Sequence, residues 1–151
     1  IHLSPQNDAG LMKDKLGDKK YDEVNRMIAQ KLKEGKEKEM LPKELQELCP
    51  ISVLAYSGYF VEEGVGNLFP YHNPDNPNWS VVGSIAQPQL LLFGEQDPYI
   101  KPSVMKAVEV FGQKTKNKFE SKIISGASHS YLGYENELVS VIMDWIGKFI
   151  N

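Results

Sequence analysis

The hydrophobic positions of this 151-residue chain switch between two periods. Between Pro88 and Gly94 the run Leu90, Leu91, Leu92 and Phe93 has no polar break, is too short for a helix and is apolar on both faces. A strand covered on both sides, as in a parallel sheet flanked by helices, has that pattern. Phe119 to Ile124 reads as a second strand, and Ile1 to Ser4, stopped by Pro5, as another. Elsewhere apolar residues recur every three or four positions. The expected fold class is therefore α/β, with about three parallel strands flanked by helices.

The helical segments carry their own stop and start signals. Gln6, Asn7 and Asp8 offer N-cap side chains to a short helix closed by Gly17. From Asp18 a second helix places Tyr21, Val24, Met27, Ile28 and Leu32 on one face and ends near Gly35. Its other face, including the mixed charges from Lys31 to Lys38, reads as solvated surface. Pro42 suits the first turn of a third helix with Leu45 and Leu48, ended by Cys49 and Pro50. The aromatic segment from Ile51 to Phe60 is expected to be helical. Asn78 or Asn76 offers a cap to a short helix holding Trp79, Val82 and Ile85. Ser103 caps a helix with Val104, Ala107, Val108 and Phe111 inward, stopped by Gly112. A last helix from about Glu135 is expected to bury Leu138, Val141, Ile142, Trp145, Ile146 and Phe149.

Composition narrows the function classes. With 41% hydrophobic and 25% charged residues the chain is of single-domain size, and its formal charge of −3 comes from interspersed signs. No basic block suggests a nucleic-acid partner. No apolar run approaches the roughly 20 residues of a membrane span, and no signal peptide opens the chain, so a cytoplasmic protein without membrane contact is expected. Cys49 is the only cysteine, which excludes an internal disulfide and suits a buried structural role. The turn-rich connection from Phe69 to Pro77 contains His72 and Asp75. Two ligand types without a third at suitable spacing read as a polar turn, so no metal and no cofactor are expected.

Candidate chemistry lies at the strand ends, where ligands bind in open α/β sheets. Asp97 and Pro98 follow the strand ending at Gly94, and His129 stands in the loop Ser125 to Ser130 after the strand ending at Ile124. Adjacent parallel strands lie about 4.8 Å apart, so the two side chains can meet despite their separation in sequence. A carboxylate that fixes the tautomer of a neutral imidazole makes it a general base. Taken singly, an Asp-Pro turn or a histidine among serines and glycines is ordinary loop composition. Their joint placement at successive strand ends is what points to an acid-base pair.

Gly94, Asp97 and Pro98 after one strand, with Gly126, Ala127 and His129 after the next, resemble the C-terminal half of an α/β-hydrolase over about residues 86 to 150. The resemblance implies that Asp97 is the acid and His129 the base of a Ser-Asp-His triad acting on a small-molecule ester-type substrate. It also implies that residues 1–5 and 85–151 form the C-terminal part of the hydrolase core, and that 6–84 form a helical cap-like insertion and connection. Tyr56, Tyr59 and Phe60 would then line the substrate pocket; packing of the cap onto the core is their plainer reading. The insertion's Leu3 to Ala9 and Leu48 to Ser52 faintly resemble a subgroup that includes fungal siderophore-ester hydrolases, which names no substrate for this chain.

The chain has no G-x-S-x-G, the turn that exposes the nucleophile in this family. Ser128 and Ser130 sit on the histidine's own loop. The expectation is a C-terminal portion whose nucleophile lies upstream of Ile1, inactive alone, with an open sheet edge to be filled by the missing N-terminal half or a second copy. Two other readings stay open at this point: an aspartate nucleophile, as in dehalogenases and epoxide hydrolases, and a non-catalytic ligand- or protein-binding domain.

Overall fold

A computed structural model describes residues 1–150. Its centre is a three-stranded parallel sheet in the order β1 (His2–Leu3), β2 (Gln89–Gly94) and β3 (Phe119–Ile124). His2 and Leu3 pair with Leu91 and Leu92, and β2 pairs with β3 from Gln89 opposite Phe119 to Gly94 opposite Ile124. All six residues of β2 are buried, as its unbroken apolar run requires. Parallel neighbours need a crossover, supplied by α6 (Val104–Lys114), which packs Ala107, Val110 and Phe111 against Leu91 and Phe93. The fold is α/β, a parallel sheet flanked by helices. Each fully buried leucine or phenylalanine of β2 contributes about 1.5–3 kcal/mol by leaving water.

The helices before β2 follow their local signals. In α1 (Asp8–Leu16) the Asn7 side chain caps the first turn by accepting the Gly10 N–H at 2.9 Å, and Gly17, at φ +74°, closes the last. Tyr21, Val24 and Ile28 of α2 (Asp18–Lys33) are buried. The helix opened by Pro42, α3 (Lys43–Gln46), is a single turn that keeps Leu45 and leaves Leu48 beyond its end. Ser52 caps α4 (Val53–Tyr59) through the Ala55 N–H at 3.2 Å. With Met12, Leu41 and Tyr56 these helices close a hydrophobic cluster of their own. Tyr71, Trp79 and Val82, from the connection that follows, pack with the sheet instead.

Three expectations need correction. Gly112 does not stop α6, which runs on to Lys114: a β-carbon there would lie 2.9 Å from the Phe119 ring, so the glycine serves the packing of helix on strand. Asn78 does not cap α5 (Trp79–Gly83), because its Nδ2 donates to the carbonyls of Gly64 and Asn67. The stripe on α7 (Glu135–Gly147) is only half-buried, with Phe149 exposed beyond the helix end. That helix covers β3, an edge strand, and among the described residues no further strand extends the sheet beneath it. No helix among the described residues is long and apolar enough to cross a membrane.

Candidate active site

The ends of β2 and β3 are tied together before any candidate catalytic side chain is placed. Past β2 the Glu95 N–H donates to the Ile124 carbonyl at 3.0 Å and the Gln96 N–H to that of Ala127 at 2.8 Å. The Glu95 carboxylate in return accepts the Gly126 N–H at 2.9 Å and the Ser125 hydroxyl at 2.8 Å, which hold its carboxyl below the usual range. Gly94 lets the two loops touch: a β-carbon there would lie 2.5 Å from the carbonyl oxygens of Ala127 and Ser128. Gly126 takes φ +74°, a left-handed conformation that favours glycine, and a β-carbon there would run into the Tyr134 hydroxyl.

Past His129 a second anchor follows. Tyr131 is held at φ +55°, and its hydroxyl donates to the Leu92 carbonyl at 3.0 Å. The same oxygen therefore accepts the Ser4 hydroxyl at 2.8 Å. Ser4 is itself at φ +41°, so both non-glycine residues with left-handed backbones meet in one hydrogen bond beneath the site.

This scaffold brings Asp97 and His129 together. The Asp97 carboxylate is fully buried; Oδ1 accepts the Tyr99 N–H at 3.0 Å and Oδ2 accepts from His129 Nδ1 at 2.9 Å. A carboxylate only accepts, so the neutral imidazole carries its proton on Nδ1 and presents an unprotonated Nε2. Tyr99 packs edge-on against the imidazole, with ring centroids 4.9 Å apart. Chemically, an imidazole whose tautomer is fixed by a buried carboxylate is able to accept a proton at Nε2.

His129 faces a pocket of about 590 Å³. Leu11, Met12, Leu48 and Phe60 give it an apolar wall, and Asp8, Lys15 and Cys49 add polar positions. Burial raises the Asp8 carboxyl, against the opposing hydrogen bond from Gln6 Nε2 at 2.6 Å. Burial also pushes the Cys49 thiol up, which disfavours the thiolate a nucleophile needs. No serine is among the lining residues: Ser4 is committed to Tyr131 and Ser125 to Glu95.

Of the three aromatics expected at the pocket, only Phe60 reaches it. Tyr56 is buried in the helical cluster, where burial drives its hydroxyl far above the ordinary range, and Tyr59 lies over Gly66 in an exposed groove. Helical phase explains the split, because successive residues of one turn point in different directions. The α1 residues Asp8, Leu11, Met12 and Lys15 were not anticipated there. Their signal is in the sequence, since they share one helical face that starts just past the end of β1.

On the opposite face of α1 lies a polar cleft of about 400 Å³ lined by Lys13, Glu62 and His72. His72 Nδ1 meets Asn7 Nδ2 at 2.8 Å, and among the described residues no group of three or more His, Cys, Asp or Glu side chains is placed to hold a metal ion.

No curated protein and no solved structure matches the chain. One family model does, described as "Protein of unknown function (DUF1749)", and it covers residues 2–151, almost the whole sequence. The chain is a member of the DUF1749 family.

Proposed function

We propose that this chain supplies the acid and the base of a carboxylesterase-like α/β-hydrolase, with Asp97 as acid and His129 as base. The observation that carries the reading is the 2.9 Å bond between a fully buried carboxylate and an imidazole at the ends of neighbouring parallel strands, beside an apolar pocket. Their arrangement fits the strand order and spacing in which that fold carries its triad. Since no G-x-S-x-G occurs and no serine lines the pocket, the nucleophile comes from a serine outside these 151 residues.

In the reaction, His129 Nε2 takes the serine proton as the serine oxygen attacks the ester carbonyl. The tetrahedral intermediate collapses to an acyl-enzyme, and the departing alcohol takes the proton back from the imidazolium. Water then repeats the sequence, releasing the acid and restoring the serine. Asp97 keeps the proton on Nδ1 and stabilises the imidazolium in both halves.

Hydrolysis of short acyl esters tests the proposal. The intact gene product containing these residues should turn them over, its His129→Ala variant should not, and the isolated 151-residue chain should be inactive. Robust, His129-dependent turnover by the isolated chain would show that it holds its own nucleophile, with Ser128 and Ser130 the first to examine.

A further inference from the structure

The α1 face that lines the His129 pocket is charged in a definite order. Asp8, Leu11, Met12 and Lys15 follow one another at helical spacing along it. Seven residues separate its ends, roughly 10 Å along the helix axis, the reach of a medium-length acyl chain. Asp8 stands at the His129 end, where an imidazolium would favour its charged form. A carboxylate there disfavours an anionic group beside the base and suits an uncharged ester.

Lys15 stands at the far end of this helical face, and Cys49, which also lines the pocket, feels both its charge and that of Asp8. Among the described residues no carboxylate lies within ion-pair distance of its ammonium. Lys13, two residues earlier and turned to the opposite cleft, is by contrast engaged with Asp18 at 3.6 Å and Glu62 at 3.9 Å. Between the two ends the pocket wall is uncharged, formed by Leu11, Met12, Leu48 and Phe60.

We infer that the pocket selects an ester whose acyl arm is apolar along its length and ends in a carboxylate held by Lys15. The inference rests on the hydrolase reading above, and it makes Lys15 a specificity-determining residue. An apolar acyl chain without the terminal anion would fill the same wall and leave the ammonium unused.

Binding tests it without turnover. The intact gene product carrying His129→Ala is titrated calorimetrically with monomethyl suberate, with the same ester whose free carboxylate is converted to the primary amide, and with the matching ester ending in an ammonium. The carboxylate form should bind about five-fold more tightly than the amide, the scale of one solvent-exposed ion pair, and more tightly still than the ammonium form. Lys15→Gln should erase the preference and Lys15→Arg should keep it. Equal binding of the carboxylate and amide forms, or a preference that survives Lys15→Gln, would overturn the inference. The intact gene product, assayed on the same esters, separates the two readings. A Lys15-dependent preference in binding without turnover would overturn the hydrolase reading and uphold the anion subsite; turnover with no such preference would do the reverse.

Discussion

Asp97 divides its two carboxylate oxygens between a backbone N–H and a ring nitrogen, and the hydrogen bonds that tie the loops after β2 and β3 hold the two residues in register. Gly94 is the tightest point. Gly94→Ala would drive a methyl group into two carbonyl oxygens of the histidine loop, and we expect a loss of about 1–3 kcal/mol in urea unfolding together with weakened turnover of the intact gene product. Unchanged stability would mean that the loops part at no cost. Tyr131→Phe would remove a buried donor from the Leu92 carbonyl and an acceptor from Ser4, with an expected cost of about 1–3 kcal/mol on the same measurement. Asp97 and His129 were legible from residue type and placement, because they follow the ends of two successive strands, where side chains far apart in sequence can meet. The Ser4–Tyr131 bond was not, since it joins residues 127 apart through backbone conformations that no local pattern announces.

At the level of elements, the strands and most helices could be read from periodicity and caps, and the misreadings share one cause. Gly112 and Asn78 were given local roles as stop and cap, but tertiary partners, the Phe119 ring and the Gly64 and Asn67 carbonyls, claimed them. The residues of α7 show the same limit from the other side: a hydrophobic stripe says which face turns inward and not how much sheet lies there to cover it.

Strand β1 supplies a test at this scale. His2 packs between Phe69 and Phe111 and bonds Gln89 through Nε2, and burial lowers its pKa below the usual 6.5 despite that hydrogen bond. A histidine kept neutral in the fold binds protons more readily when unfolded. Its contribution is therefore full above pH 6.5 and is lost as the pH falls through the lowered folded value. Melting temperature should decline over that window in the wild type and decline less in His2→Phe; parallel curves for the two would remove His2 from the pH response.

For the whole molecule, the layout has an apolar cluster under the sheet, a separate helical cluster, and α1 running past the strand ends with the pocket on one face. Among the described residues nothing pairs with the outer edge of β1, whose Leu3 is half-exposed. Such an edge recruits another strand, and we propose that the segment bearing the nucleophile, or a second copy of the chain, occupies it. The most direct test is the turnover of a short acyl ester by the intact gene product and by its Asp97→Asn variant. With Oδ1 kept on the Tyr99 N–H, the asparagine would turn an NH₂ toward Nδ1 and force the proton onto Nε2, where the base must be empty. By analogy with the Ser-His-Asp triad of serine proteases, turnover should fall about ten-thousand-fold while the melting temperature changes little. Turnover within a few-fold of wild type in the folded variant, or no turnover by the wild type, would contradict the assignment of Asp97 and His129 as a catalytic pair.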